Sequence, residues 1–460
     1  MNGFPERNAF NSLADVSSEV WVLKAPREYY DQVFQLLEKH HQWFSEAVPL
    51  IASENISSPA VHEAVATDFA HRYAEGWPGE RVYAGCTYID QVELIAIDLV
   101  KKLFNAEFVD VRPISGVVAN LVVYTAFAQP DDYMYALPIP CGGHISMGKK
   151  RLGGTAGAVR GLNVEYLAYD HNELNIDVDK TKKSVEELVR QGHKPRMIVF
   201  GGSVLPFPHP VKELGDYFHS LDGVVVYDAA HVAGLIAGGL FQDPLREGAD
   251  AVTASTHKTF PGPQHGMVLS WERYSDQIKA ATFPGMVSNH HLHNVAGLAV
   301  AACEMIEFGE EYAKQIVKNA KALGQALYER GIRVLAEHKG FTESHVLLLD
   351  ITKHGDGGEI EKTLEKANVI VNRNLLPWDI KEGRHFMHPG GIRLGTSEVT
   401  RLGMREEDMD DIAEFIERVM VDREDPSRVK RDVAEFRRGF QKIHYCFETM
   451  REAYEYLKIR

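Results

Sequence analysis

Two apolar runs that each end on a charged side chain constrain this chain most. The first is Val224-Val225-Val226-Tyr227, which stops at Asp228. The second is Ala251-Val252-Thr253-Ala254, which leads through Ser255 and Thr256 to His257-Lys258-Thr259 and the turn residues Gly262-Pro263 and Gly266. A β-rich run without polar alternation reads as a strand covered on both faces. Such strands belong to parallel sheets flanked by helices.

The rest of the chain repeats the pattern. Strands are expected at 108–112, 133–137 and 197–200 as well as at 224–227 and 251–254, with a helix at 117–128. Val92, Ile95, Leu99 and Leu103 fall on one helical stripe. Short strands joined by helices predict an α/β fold with a mostly parallel sheet. Ligands bind such sheets at the carboxyl ends of the strands, and Ser115, His144, Ser203, Asp228 and Lys258 all follow expected strands.

Three regions are expected: an N-terminal arm over 1–48, a large domain over 49–308 and a small α+β domain over 309–460. Tyr30, Val33, Leu36, Leu37 and His40 have helical spacing, so the arm should end in a helix. A long helix over 294–330 should bridge the two domains, and a strand follows at Val346–Asp350. Val429, Val433, Phe436, Phe440, Ile443 and Phe447, spaced by fours and threes, predict a last amphipathic helix.

Composition narrows the function. A net charge of −15 argues against sequence-independent nucleic-acid binding. The cluster Lys149-Lys150-Arg151 reads as a solvated turn. Cys86, Cys141, Cys303 and Cys446 show no CxxC spacing, which suggests free thiols in a reducing compartment. The opening residues have no apolar core of a signal peptide, and no apolar run is long enough to span a bilayer, so a cytoplasmic location is expected. His290, His291 and His293, like His385 and His388, have spacing that can bind metal. They lack carboxylate or Cys companions in sequence, so no metal is expected there. A polar helix start at a subunit interface is the plainer reading.

An Asp at the end of one strand and a Lys at the end of the next suit pyridoxal phosphate (PLP). Asp228 would keep the pyridine nitrogen protonated, and Lys258 would bind the aldehyde covalently. The ordered motifs LIASEN (50–55), RYAEGWPG (72–79), IDQVE (89–93), SGVVAN (115–120), GGH (142–144), YDAAHVAGLIAGG (227–239), STHKTFPGP (255–263) and GIRLGTSEVTRLGM (391–404) then point further. Together they resemble serine hydroxymethyltransferase, a fold type I PLP enzyme of the aspartate aminotransferase-like class. FGGSVLPFPHPVKE and FPGMVSNHHLH resemble its archaeal branch.

The resemblance implies roles. Lys258 holds PLP and Asp228 its ring nitrogen. His144 stacks on the ring, and His231 lies near its phenolic oxygen and the substrate carboxylate. Ser203 bonds a cofactor oxygen, and Ser115 with Gly116 receives the phosphate at a helix N-terminus. Arg393 clamps the substrate carboxylate, helped by Ser53 and Tyr83. Glu75 is the acid/base group. Tyr83 and His257 complete the catalytic set around it and Lys258, and Asn374 contacts a pterin. Tyr73, Glu75 and Tyr83 should come from a partner subunit, so a homodimer or a tetramer built from dimers is implied.

The expected activity is serine–glycine interconversion, with the one-carbon unit passed to a reduced pterin, tetrahydrofolate or tetrahydromethanopterin. The alternative is a pterin-independent threonine or β-hydroxy-amino-acid aldolase or transaldolase on the same fold. The chain departs from the family pattern at several places. Val82-Tyr83 replaces a Tyr-Tyr pair, and Val287-Ser288-Asn289 replaces Gln-Gly-Gly. His265-Gly266 replaces Gly-Gly, and Pro389-Gly390 replaces Thr-Ser. Val82 removes a family contact to folate, which is why a modified pterin is carried beside it.

Overall fold

The computed structural model describes residues 25–460, so positions 1–24 of the expected arm lie outside the described residues. The arm's helix runs from Pro26 to Ser45. Proline at its first position loses no hydrogen bond, and the Glu28 carboxylate accepts from the Ala25 amide at 2.8 Å. Its apolar stripe, including Val33 and Leu36, faces outward in the single chain.

The large sheet has seven strands: β1 (Phe108–Asp110), β2 (Tyr133–Ala136), β3 (Asn163–Tyr166), β4 (Pro195–Gly201), β5 (Val224–Asp228), β6 (Ala251–Ser255) and β7 (Gly266–Ser270). Their spatial order is β1-β7-β6-β5-β4-β2-β3. Only β7 runs against its neighbours, β6 and β1. The other pairings are parallel, as the apolar runs predict.

Those runs lack alternation because each face has its own core. Val225 and Tyr227 of β5 and Ile198 and Phe200 of β4 pack on one side, with Val100, Phe218 and Leu298 of the covering helices. Val224, Val226, Met197 and Val199 pack on the other, against Val122 and Phe127 of the helix Gly116–Phe127. Each such side chain stabilises the fold by about 1.5–3 kcal/mol.

A four-stranded antiparallel sheet follows: β8 (Arg333–Val334), β9 (Val346–Asp350), β10 (Asn372–Asn374) and β11 (Gly391–Gly395), in the order β8-β9-β11-β10. Helices Gly357–Lys366, Asp408–Met420 and Pro426–Arg437 cover it. The helix Leu292–Glu329 ties the two cores together, with Leu298 and Met305 in one and Leu323 and Leu327 in the other. Val48–Pro49 pairs in parallel with Val369–Ile370 in a separate two-stranded sheet, and Val48 and Val369 pack into the core of the small sheet, so the chain leading to the large sheet is pinned there as well.

Three sequence expectations change. The helix Thr87–Phe104 buries Ile89, Glu93, Ala96, Ile97, Val100 and Phe104, whereas Ile95 of the expected stripe is 52 % exposed. This helix has apolar residues around most of its surface, and Glu93 can be buried because Arg81 and His290 pair with it. The last amphipathic helix stops at Arg437, before Phe440, Ile443 and Phe447. Arg437 turns inward there to donate to the carbonyls of Ala47 and Phe440, and Gly439 follows. Strands β3 and β7 were not anticipated. Among the described residues no helix is long and apolar enough to cross a membrane.

Candidate active site

The site forms where β4, β5 and β6 end. Asp228 is the last residue of β5 and is 3 % exposed. Its Oδ1 accepts from the Ala230 amide at 2.9 Å and its Oδ2 from Asn120 Nδ2 at 2.8 Å. Lys258 follows β6 by three residues, in a loop closed by Thr256: its amide carbonyl accepts from Gly262 N at 2.8 Å and its hydroxyl donates to Pro263 O at 2.6 Å. Thr259 fastens the same loop to the end of β5 by donating to His231 O at 2.9 Å. Asn55 holds the Lys258 carbonyl at 2.6 Å. Burial pushes the Lys258 amine down to about 8, against the pull of Asp228 and with a smaller push from Arg393.

Ser115, Gly116, His144, Ser203, Asp228, His231, His257 and Lys258 line one cavity of about 180 Å³. Ser115 caps the helix Gly116–Phe127, its hydroxyl oxygen accepting from Val118 N at 3.2 Å. The amides of that first turn face an anion-binding position. Gly116 has no room for a side chain, since a Cβ there would lie 2.4 Å from Ser255 Oγ. The loops carrying His144 and Ser203 interlock through glycines: Gly142 has φ of 96° and Gly202 of 131°, and Ser203 N donates to Gly142 O at 2.6 Å.

Burial favours the neutral form of the site's imidazoles. His144 Nδ1 accepts from the Ser146 amide at 3.2 Å and lies 2.8 Å from its hydroxyl, which leaves the ring proton on Nε2. Burial pushes His144 down, with Asp228 opposing. His231 is driven well below its ordinary value by burial, and its ring lies over that of His345, 5.6 Å between centroids. Burial takes His345 to about 3; its Nε2 lies 3.1 Å from Ala52 O. His257 is pushed to about 4 by burial and by Lys258, and its Nδ1 has no hydrogen-bond partner among the described residues.

Arg393 projects from β11 toward the same cavity. It is 8 % exposed, and burial lowers it to about 10. Its Nη1 donates to Ser203 O at 2.9 Å and its Nε to Asn372 Oδ1 at 3.2 Å. Both acceptors are neutral, so among the described residues this buried cation has no carboxylate partner.

The other expected residues lie apart. Ser53 lines a neighbouring cavity that His257 also borders. Asn374 ends β10, with Nδ2 donating to Leu375 O at 2.7 Å. Tyr73 and Tyr83 pair at 5.3 Å on a separate, exposed surface. Beside them Glu75 Oε1 accepts from Ser288 Oγ at 2.6 Å. Within one chain these three do not line the Lys258 cavity.

Sequence reasoning missed several contributors. Asn120 also donates to Ser146 Oγ at 2.9 Å and accepts from Thr253 Oγ1 at 2.6 Å, so it joins Asp228 to the residue that orients His144. Its signal was present: it is one turn after Gly116 in SGVVAN. Asn55 was likewise inside LIASEN. His345 and Asn372 carried no local pattern. His290, read as having no carboxylate companion, lies 2.9 Å from Glu93 Oε2. Among the described residues no group of three His, Cys, Asp or Glu could hold a metal.

The donor set fits PLP. Among the described residues each Asp228 oxygen accepts one hydrogen bond while bordering the cavity, a buried amine stands in the same cavity, and a capped helix start offers amides to a phosphate. A mostly parallel seven-stranded sheet, a smaller α+β unit and this Asp–Lys arrangement define a fold type I PLP-dependent enzyme. The model of the family described as serine hydroxymethyltransferase matches residues 27–416, and the chain belongs to that family.

It is 56% identical to the serine hydroxymethyltransferase of Nitrosopumilus maritimus, covering 94% of this chain and 99% of the relative. Identity to that of Korarchaeum cryptofilum is 59%, over 94% and 100% of the two chains. To that of Methanocaldococcus jannaschii it is 52%, over 91% and 96%. The chain is thus an enzyme of glycine and serine one-carbon transfer, and its archaeal likeness agrees with the sequence motifs.

Proposed function

We propose that this enzyme interconverts serine and glycine, with PLP held at Lys258 and the one-carbon unit carried by a reduced pterin, tetrahydrofolate or tetrahydromethanopterin. The observation that carries this reading is the buried cation Arg393, without a carboxylate partner among the described residues, beside the cavity shared by Asp228 and Lys258. Bound PLP supplies an electron sink for the bond broken at the amino acid's α-carbon.

The chain's own residues do the rest. The Lys258 amine, eased toward neutrality by burial, would hold the cofactor. Asp228 keeps the pyridine nitrogen protonated. Ser115 and Gly116 take the phosphate, Ser203 a cofactor oxygen, and His144 and His231 the ring face and its oxygen. The Arg393 fork binds the α-carboxylate with Ser53 and Tyr83. His257 borders both cavities.

Glu75 exchanges a proton with the serine hydroxyl as the Cα–Cβ bond breaks. It enters with Tyr73 and Tyr83 from a partner subunit, so the working unit is a homodimer or a tetramer. Asn374 contacts the pterin. The chain is organised as an arm over 1–48, a large domain over 49–308 and a small domain over 309–460, and works in the cytoplasm.

The test is visible absorption of the purified enzyme with glycine, adding tetrahydrofolate and tetrahydromethanopterin separately. A long-wavelength band that one pterin brings out supports the reading and names the carrier. A band indifferent to both favours the aldolase or transaldolase.

A further inference from the structure

We infer that Ser288 and Asn289 are positioning residues for Glu75, an assignment that rests on the acid/base role proposed for that carboxyl. Where the general family pattern has Gly-Gly, this chain has two side chains that make contacts a glycine could not. Ser288 Oγ donates to Glu75 Oε1 at 2.6 Å. Asn289 uses both ends of its amide: Oδ1 accepts from Ala74 N at 3.0 Å and Nδ2 donates to Arg72 O at 2.9 Å. The next residue, His290, is buried with Nε2 2.9 Å from Glu93 Oε2. Arg81 Nη2 donates to that same Glu93 oxygen at 2.7 Å.

These contacts close on Glu75 from several sides. Arg81 Nη1 donates to Ala74 O at 2.7 Å and to Gly76 O at 2.8 Å, the carbonyls that flank Glu75. Val82 N donates to the Glu75 carbonyl at 3.1 Å. The backbone of Glu75 is thereby fixed, and the remaining freedom is in its side-chain torsions. Ser288 removes much of that freedom by holding Oε1. Oε2 accepts no hydrogen bond among the described residues and is left for the substrate proton. A carboxylate held in one geometry before substrate arrives transfers that proton without the cost of being ordered first.

The experiment compares holoenzyme variants Ser288→Ala, Ser288→Thr, Asn289→Ala and Glu75→Gln, and the double variant Ser288→Ala/Glu75→Gln. It measures kcat and KM for pterin-dependent serine cleavage, PLP affinity, melting midpoint and exchange of the Ala74 amide. Ser288 is exposed, so its loss should not unfold the protein. Ser288→Ala should lower kcat by about tenfold to a hundredfold, with KM for serine, PLP affinity and melting unchanged. Ser288→Thr should restore kcat. Ser288→Ala should add nothing to Glu75→Gln. Asn289→Ala should speed exchange of the Ala74 amide and lower kcat.

If Glu75→Gln loses cleavage while Ser288→Ala keeps full kcat, the positioning assignment alone fails. Loss of PLP from Ser288→Ala with kcat of the loaded enzyme intact would overturn it. If Glu75→Gln itself cleaves serine normally, the acid/base role falls, and this inference with it.

Discussion

Asn120 Nδ2 lies 2.8 Å from Asp228 Oδ2, joining residues 108 apart in sequence. The same amide nitrogen reaches Ser146, which sets the His144 ring, while its oxygen accepts from Thr253. One buried asparagine therefore fixes both groups proposed to hold the cofactor ring. Asn120→Ala should cost about 1–3 kcal/mol, because it strips a donor from a buried carboxylate. It should also weaken PLP binding. Thermal melting and cofactor titration check the two effects, and an unchanged PLP affinity would remove Asn120 from the positioning role.

Lys258 should react as an amine of pKa about 8 rather than one near 10.5. Only the neutral amine attacks an aldehyde, so PLP uptake by the apo protein should rise tenfold per pH unit below about 8 and level off above it. Stopped-flow absorbance across pH tests this. A rate still climbing steeply at pH 9–10 would contradict it. Lys258→Ala should fold and yet lose turnover, which circular dichroism and an activity assay can separate.

Arg393→Lys keeps the charge and loses the planar fork. The lysine cannot hold Ser203 O, Asn372 Oδ1 and a substrate carboxylate together. KM for serine should rise by about tenfold to a hundredfold with PLP affinity preserved. An unchanged KM would show that the carboxylate binds elsewhere.

Glu398 gives a stability prediction. Burial raises it from 4.5 to about 7, with Tyr454 and Arg437 opposing and Glu54 reinforcing. Its hydrogen bond with the Tyr454 hydroxyl is 2.6 Å long. The folded state binds this proton more tightly than the unfolded chain. The site therefore costs nothing below pH 4.5, and stability falls as pH rises toward about 7, by roughly 3 kcal/mol. Glu398→Gln should flatten that part of the profile of melting temperature against pH. A slope left as steep as in the parent would exclude Glu398 as its source.

Much was legible before any coordinates. The β5 and β6 runs showed strands buried on both faces because no charged residue interrupts them and polar residues do not alternate along them. Asp228 and Lys258 stood out because charged residues end those runs, and a parallel sheet collects strand ends along one edge. The helix Thr87–Phe104 was misread in its face because its pattern offers more than one apolar stripe. The choice among them depends on what packs there, and on partners that let Glu93 be buried.

Local pattern thus determined the sheet, its mostly parallel direction and the residues at its carboxyl edge, since periodicity and strand ends are properties of neighbouring positions. The tertiary structure alone decided the contacts between distant positions: Asn120 on Asp228, His345 over His231, Asn372 on Arg393 and Ser288 on Glu75. A hydrogen bond between residues 108 or 213 positions apart leaves no periodic trace in a single sequence, and folding brings them within 3 Å.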